Sequence, residues 1–325
     1  MNRRFAIIKM REKASACGAA ALLMVWVGFS SLAQTTEVDR PFRFGFSMAL
    51  MPEVNENDSR AAMKVWAETM VKSGAVRADT NVVMSHDLSN LLAGLLDRAV
   101  DGVAVSTSEF LTLREQVKFN RFVFGVFDGG ISDSYVLLVH KNSGMVRVEE
   151  LQGRSLMVLQ TSRASLAVPW LDTLLIESGL KATSDFFAQV APEVKLTKAV
   201  LPVFFRKADA CLVTRKGFKT MGELNPQVSQ QLRVLASSPE LVPTGFFFRE
   251  GFPQAQQDKC LKEFTNVHTT PGGQQILTVF QTERLEEHPV AVLESTIALL
   301  EKHQRSRGST NSPQAEPAPV RGGTD

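Results

Sequence analysis

Short apolar runs alternate with amphipathic helical patterns along most of this chain, and the alternation breaks off once and starts again. Phe42–Met48 reads as a strand. From Asn57 to Gly74 apolar residues fall at Ala62, Met63, Trp66, Met70 and Val71, a helical spacing closed by Gly74. Asn81–Ser85 reads as a strand. Asp87 is placed to cap a helix running to Ala99, with Leu88, Leu91, Leu92, Leu95 and Leu96 on one stripe. Gly102–Ser106 is a strand, a helix opens near Thr107, and Arg121–Phe127 is a further strand. The series then restarts with Ser134–His140, a long apolar strand with no helix before it. Strands at Ser155–Thr161, Phe186–Ala191, Asp209–Arg215 and Arg233–Ser237 follow, separated by helices. A second long strand, Pro243–Glu250, precedes helices to His303, the last with Pro289 in its first turn.

Near-continuous apolar strands linked by helices imply parallel sheets covered on both faces. The expected fold class is therefore α/β, in two lobes, each a mostly parallel sheet flanked by helices. The two long strands join the lobes as hinges. Residues 42–135 and 245–304 make the first lobe, and residues 136–244 form an inserted second one.

The N-terminus predicts export. Arg3, Arg4, Lys9, Arg11 and Lys13 lead into an apolar run that ends in Ser31-Leu32-Ala33, so residues 1–33 read as a signal peptide cleaved before Gln34. An uncleaved anchor is the alternative, since the run is about long enough to span a bilayer. Cys17 precedes its apolar run and does not read as a lipidation site. No later stretch is apolar for long enough to span a membrane. Removing the five basic leader residues and Glu12 from 36 basic and 34 acidic side chains leaves a net charge of −2. That balance gives no reason to expect nucleic acid or an anionic membrane as partner. Cys211 and Cys260 are too few and too far apart for a disulfide framework or a metal cluster. Residues 305–325, rich in Pro, Gly, Ser and Thr, read as a disordered tail.

Ligands of such sheets sit beyond the carboxyl ends of strands, at helix N-termini. Here those positions carry hydroxyls: Ser47, Ser85, Ser106-Thr107-Ser108, Thr161-Ser162 and Thr214. The strongest local signal is Gln160–Leu171. Pro169 is tolerated best in a first turn and sets the helix start near Ser165. Thr161, Ser162 and Ser165 then lie at the positive end of a helix, and Arg163 adds a forked cation suited to an oxyanion. Ordinary N-capping beside a solvated Arg explains the same residues. Tyr135, the only tyrosine, stands at the entry to the first long strand, placed either to donate to a ligand or to pack. Catalytic signals are weak. Gly45–Ala49 lacks the last glycine of a nucleophile elbow. The five histidines show no metal-ligand spacing, and Glu53–Asp58 lacks the spacing of a calcium loop. No cofactor, metal or enzymatic activity is expected.

Several stretches resemble one family. DSYVLLVHKNSGMVRVEELQGRSLMVLQTSRASLAVP (Asp133–Pro169) resembles a crossover strand, a turn at Glu150–Arg154 and a Ser/Thr loop ahead of a Pro-containing helix. RKADACLVTRKGFKTMGELNP (Arg206–Pro226) and RVLASSPELVPTGFFFREGFP (Arg233–Pro253) resemble its next strand–helix unit and its return strand. In this order, over Phe42–Leu300, the chain resembles the PhnD-like periplasmic phosphate/phosphonate-binding proteins of the type II binding-protein fold. The resemblance implies a periplasmic protein that captures a small oxyanion (phosphate, phosphite or phosphonate) between two lobes and delivers it to an ABC permease. A sulfonate ligand, or a sensor role toward a membrane receptor, is the alternative. It implies that Thr161 and Ser162 hold anion oxygens, that Ser106 and Thr107 face them, and that Thr214 lies at the cleft end of its strand. Two departures stand out. A family loop of Ser-Thr-Ser-Gly is replaced by Thr161-Ser162-Arg163-Ala164-Ser165, and an aromatic near the first strand by Ser47-Met48.

Overall fold

A computed structural model describes residues 40–52, 54–72 and 77–310. The leader with its cleavage site, and the tail beyond Thr310, lie outside the described residues. No helix among the described residues is long and apolar enough to cross a membrane.

The chain opens with β1 (Phe44–Ser47), α1 (Glu56–Lys72), β2 (Val83–Ser85), α2 (Leu88–Leu96), β3 (Gly102–Ser106), α3 (Thr107–Leu113) and β4 (Phe119–Val126). It continues through β5 (Tyr135–His140), β6 (Ser155–Leu159), α4 (Ala167–Glu177), α5 (Thr183–Phe186), β7 (Gln189–Glu193), α6 (Leu196–Phe204), β8 (Ala210–Thr214), α7 (Arg215–Leu224), α8 (Pro226–Gln231) and β9 (Leu232–Ser237). It ends with β10 (Thr244–Arg249), α9 (Gln254–Asn266), α10 (Pro271–Val279), β11 (Arg284–Glu287) and α11 (Glu294–Thr310). Two sheets result. One has the order β11-β4-β10-β3-β1-β2 and the other β7-β6-β8-β5-β9.

The fold is a mixed α/β arrangement. Helix-linked neighbours pair parallel, as in β1–β2, β1–β3, β6–β7 and β6–β8. The two long strands run against their neighbours: β10 is antiparallel to β3 and β4, and β5 to β8 and β9. Each enters its sheet directly from the other sheet, without a crossover helix to reverse its direction. The two connecting segments are stitched together. Asp133 and Leu241 exchange backbone hydrogen bonds of 3.0 and 2.9 Å, and the Ser238 amide donates to the Tyr135 carbonyl at 2.9 Å.

Side-chain alternation along β10 shows how the sheet divides its core. Phe247 faces one side and stacks on Phe110 at 4.1 Å. Phe246 and Phe248 face the other, among Phe42, Phe44 and Phe264. At the opposite end of the first sheet, Gly45 is held tight. A Cβ there would lie 2.8 Å from Val103 of β3 and 3.3 Å from Leu91 of α2, so glycine makes room for both neighbours.

Three expectations need correction. The strand β11 was not anticipated, because RLEE carries three charges; it survives as an edge strand, where charged side chains reach water. Pro289 does not open the last helix. It caps a 3-10 turn, Val290–Leu293, and α11 begins at Glu294 and runs past Arg305 to Thr310, into the stretch whose composition suggested a tail. Nor does α11 stay with the first sheet. Leu293, Leu299 and Leu300 join the core that holds Leu171 and Leu175 of α4, and His303 meets Asp172 of α4 at 3.1 Å. The C-terminal helix packs on α4 and also reaches the end of α3, where Arg114 meets Glu301 at 3.6 Å.

Candidate oxyanion site at the strand ends

The loop after β6 begins where the Gln160 amide donates to the Glu193 carbonyl at 2.8 Å. Ser162–Ala164 then form one 3-10 turn, and α4 starts at Ala167, with Pro169 in its first turn. The helix start is thus two residues later than the proline suggests, and Ser165 is an exposed residue between the two turns. Leu166 occupies the cap position and offers no side-chain acceptor. The hydroxyls of Thr161 and Ser162, half-buried, have no hydrogen-bond partner among the described residues.

Arg163 turns inward. Only 9% of its surface is exposed. Its Nε and Nη2 donate to the Gln281 carbonyl at 3.2 and 2.8 Å, and Nη2 reaches Thr282 Oγ1 at 3.4 Å. The guanidinium lies over the Phe127 ring, 4.3 Å from its centroid. Gln281 and Phe127 follow α10 and β4 of the first lobe, so this one side chain spans both lobes. Burial lowers its pKa to about 10, with Asp133, Tyr135 and Glu283 acting the other way. It stays protonated at neutral pH. Its hydrogen-bond acceptors are all neutral, and no carboxylate lies within ion-pair distance of it among the described residues. A buried cation in such surroundings has lost hydration without gaining a direct ion pair, its acidic neighbours Asp133 and Glu283 acting only through space.

Tyr135 is a strut rather than an open donor. It is fully buried, its hydroxyl donates to the Arg163 carbonyl at 2.8 Å, and burial pushes its pKa up. Thr214 caps α7, accepting the Gly217 amide at 3.2 Å. A Cβ at position 217 would lie 2.8 Å from Thr214 Oγ1, so a larger residue there would press on the cap.

The hydroxyls of the first lobe are engaged within the protein. Ser106 caps α3 and closes a capping box. Its amide and hydroxyl donate to Glu109 Oε2 at 2.8 and 2.9 Å, and its Oγ accepts the Glu109 amide at 3.2 Å. Ser47 donates to the other oxygen of Glu109 at 2.5 Å. Thr107 donates to the Val242 carbonyl at 2.6 Å, tying α3 to the second crossover. The positive end of α3 is therefore already satisfied by a carboxylate of its own helix.

Five residues at these strand ends escaped sequence reasoning. Glu109 was legible, since Ser106-x-x-Glu109 is a capping-box pattern. Lys216 follows Thr214 at the start of α7, where its Nζ donates to the Phe127 carbonyl at 2.6 Å. Phe127 and Thr282 carry no local signal, because their partner Arg163 is remote in sequence. Asp133, on the first crossover, is 1% exposed. Burial raises its pKa against the pull of the Lys216 and Ser134 amides, and its Oδ2 has no hydrogen-bond partner.

No group of three or more His, Cys, Asp or Glu among the described residues could hold a metal. Cys211 and Cys260 are buried free thiols, and burial pushes both pKa values up, that of Cys260 to about 12. The arrangement offers hydrogen-bond donors and a cation to an anion.

The family model of the periplasmic substrate-binding protein of phosphonate ABC transporters matches residues 48–289. The chain belongs to that family. It is a family of binding components of transporters, not of enzymes. Solved structures agree on the fold. A binding protein component of an ABC phosphonate transporter from Pseudomonas aeruginosa superposes with a TM-score of 0.56 at 13% identity, over 85% of this chain and 90% of that one. PhnD1 from Prochlorococcus marinus, in complex with methylphosphonate, gives 0.56 at 13%, over 81% and 98%. A Xanthomonas citri protein bound to ATP gives 0.59 at 13%, over 83% and 99%. No curated protein matches the chain in sequence. As a member of the family this is a periplasmic solute-binding protein that serves an ABC permease.

Proposed function

We propose that the ligand is a small oxyanion, of the phosphonate, phosphate or phosphite type, bound at the loop between β6 and α4. Thr161 and Ser162 supply hydroxyls, and Arg163 supplies the charge. The observation that carries this reading is Arg163, a buried cation with neutral acceptors only, next to two open hydroxyls. An oxyanion there supplies the contacting anion that Arg163 lacks. Ser47, Ser106, Thr107 and Tyr135 are assigned a structural part, since each already holds a protein group. The crossovers at 127–134 and 238–243 serve as the hinge between lobes, and the mature chain begins at Gln34 after export. N-terminal sequencing of the exported protein checks the last point, an intact Met1 form in the membrane being the contrary result.

Calorimetric titration of the mature protein with phosphate, phosphite and methylphosphonate tests the site. Saturable binding that Ser162→Ala weakens by about tenfold, the value of one hydrogen bond to a charged group, is the expected result. Equal affinity in parent and variant places the ligand elsewhere.

A further inference from the structure

We propose that the bound oxyanion carries an apolar organic substituent, and that a chamber in the first lobe receives it. This rests on the oxyanion reading above and narrows its ligand class. A cavity of about 110 Å³ lies between the first sheet and its helices, walled by Phe44, Trp66, Phe246, Phe264 and Phe280. Interiors of close-packed proteins hold few voids larger than a water molecule, and an apolar void offers water no partners. An apolar cavity of roughly 150 Å³ accepts a benzene molecule, so this one suits a substituent of several carbons.

The position of the chamber ties it to the anion loop. Ser162, from the second lobe, is part of its lining, and so is Thr282, the residue that accepts from Arg163 Nη2. The donors proposed for the oxyanion and the aromatic walls thus share one rim. The rim depends on Gly125 of β4. A Cβ there would lie 2.8 Å from Thr282 Oγ1 and displace it. On the sheet floor Ala104 sits in register between Phe46 and Phe246, a small residue between two large ones, and it lines the chamber. A headgroup at Ser162 and Arg163 lets its substituent point into this apolar chamber.

The probes are inorganic phosphate, methylphosphonate, butylphosphonate and phenylphosphonate, titrated calorimetrically into the mature protein. Burying a methylene is worth about fourfold in affinity, so butylphosphonate should bind on the order of fiftyfold tighter than methylphosphonate. Ala104→Leu fills the floor and should bring the butylphosphonate-to-methylphosphonate affinity ratio from about fiftyfold down to near one. Leu50→Phe, which narrows the chamber from a 3-10 turn outside the sheet, serves the same purpose if the Ala104 variant does not fold. If methylphosphonate binds and butyl- and phenylphosphonate bind no tighter, the chamber proposal is overturned and the oxyanion reading stands. If the gain persists in the filled variants, the substituent lies elsewhere and the proposal is equally overturned. If none of the four anions binds, the oxyanion reading itself fails.

Discussion

Two loops of this protein look alike in sequence and behave differently. One follows β3 and reads Ser106-Thr107; the other follows β6 and reads Thr161-Ser162-Arg163. Both put hydroxyls at a strand end before a helix. In the first, Glu109 stands at the third helical position and folds back to close the capping box, drawing in Ser47 as well. In the second, the third position is Pro169, which has neither an acceptor to fold back nor an amide to be capped, and the cap position is Leu166. The hydroxyls of the first loop are spent within the protein, Ser106 on its own helix and Thr107 on the Val242 carbonyl, and the hydroxyls of the second remain open. Hydroxyls at a helix start are left open to a ligand only when the helix does not already carry its own anion.

The largest effect expected from this contrast falls on Arg163. Arg163→Ala removes the charge opposite the ligand and the link to Gln281, and should weaken methylphosphonate binding by about tenfold to a hundredfold. Titrations at low and high salt separate a contact from long-range attraction, since steering across solvent is largely screened at 1 M. A loss that vanishes at high salt would place Arg163 outside the contact shell.

The next test sets the loops against each other. Ser162→Ala should lower affinity about tenfold and leave the melting temperature nearly unchanged. Ser106→Ala should do the reverse, costing about 0.5–2 kcal/mol of stability through the lost cap while leaving affinity intact. Chemical denaturation and calorimetry on the same two variants read both quantities. A Ser106 variant that folds normally and binds poorly would return the first loop to the site and erase the distinction.

How far the contrast could be read in advance depends on the reach of each interaction. Local features were legible: β3 matches its expected span of Gly102–Ser106, and Asp87 caps α2 by accepting the Ser89 amide at 2.9 Å. The order of strands and the restart of the series were also legible, because apolar periodicity is written residue by residue. The burial of Arg163 was not. It depends on Gln281 and Thr282, more than a hundred positions away, and nothing in the neighbourhood of Arg163 distinguishes an inward guanidinium from a solvated one. The same holds for α11, whose attachment to α4 is decided by where apolar surface remains. Glu109 is the intermediate case, a four-residue pattern that was present and went unread.

The smallest effect concerns how α4 stays in place without a capped N-terminus. α3 is fastened at its first turn, whereas α4 is fastened in its middle, where Asp172 accepts from the Thr183 amide at 2.8 Å and meets His303 of α11 at 3.1 Å. Burial pushes the Asp172 carboxyl up, but the bonds from His303 and Thr183 outweigh it, and its pKa lies below the ordinary carboxylate value. A carboxyl depressed in the folded state stabilises that state above its unfolded pKa, near 4, and loses the contribution as pH falls through the folded value. Acid should therefore loosen the second loop's helix within the region below about pH 4, and Asp172→Asn should remove that part of the acid dependence while the α3 capping box is unaffected. Amide hydrogen exchange of α4 against α3 along an acid series reads the difference. Equal acid sensitivity of α4 in parent and variant would mean that the Asp172 carboxylate does not hold the helix, leaving its apolar contacts and the Lys302–Glu177 ion pair to α11.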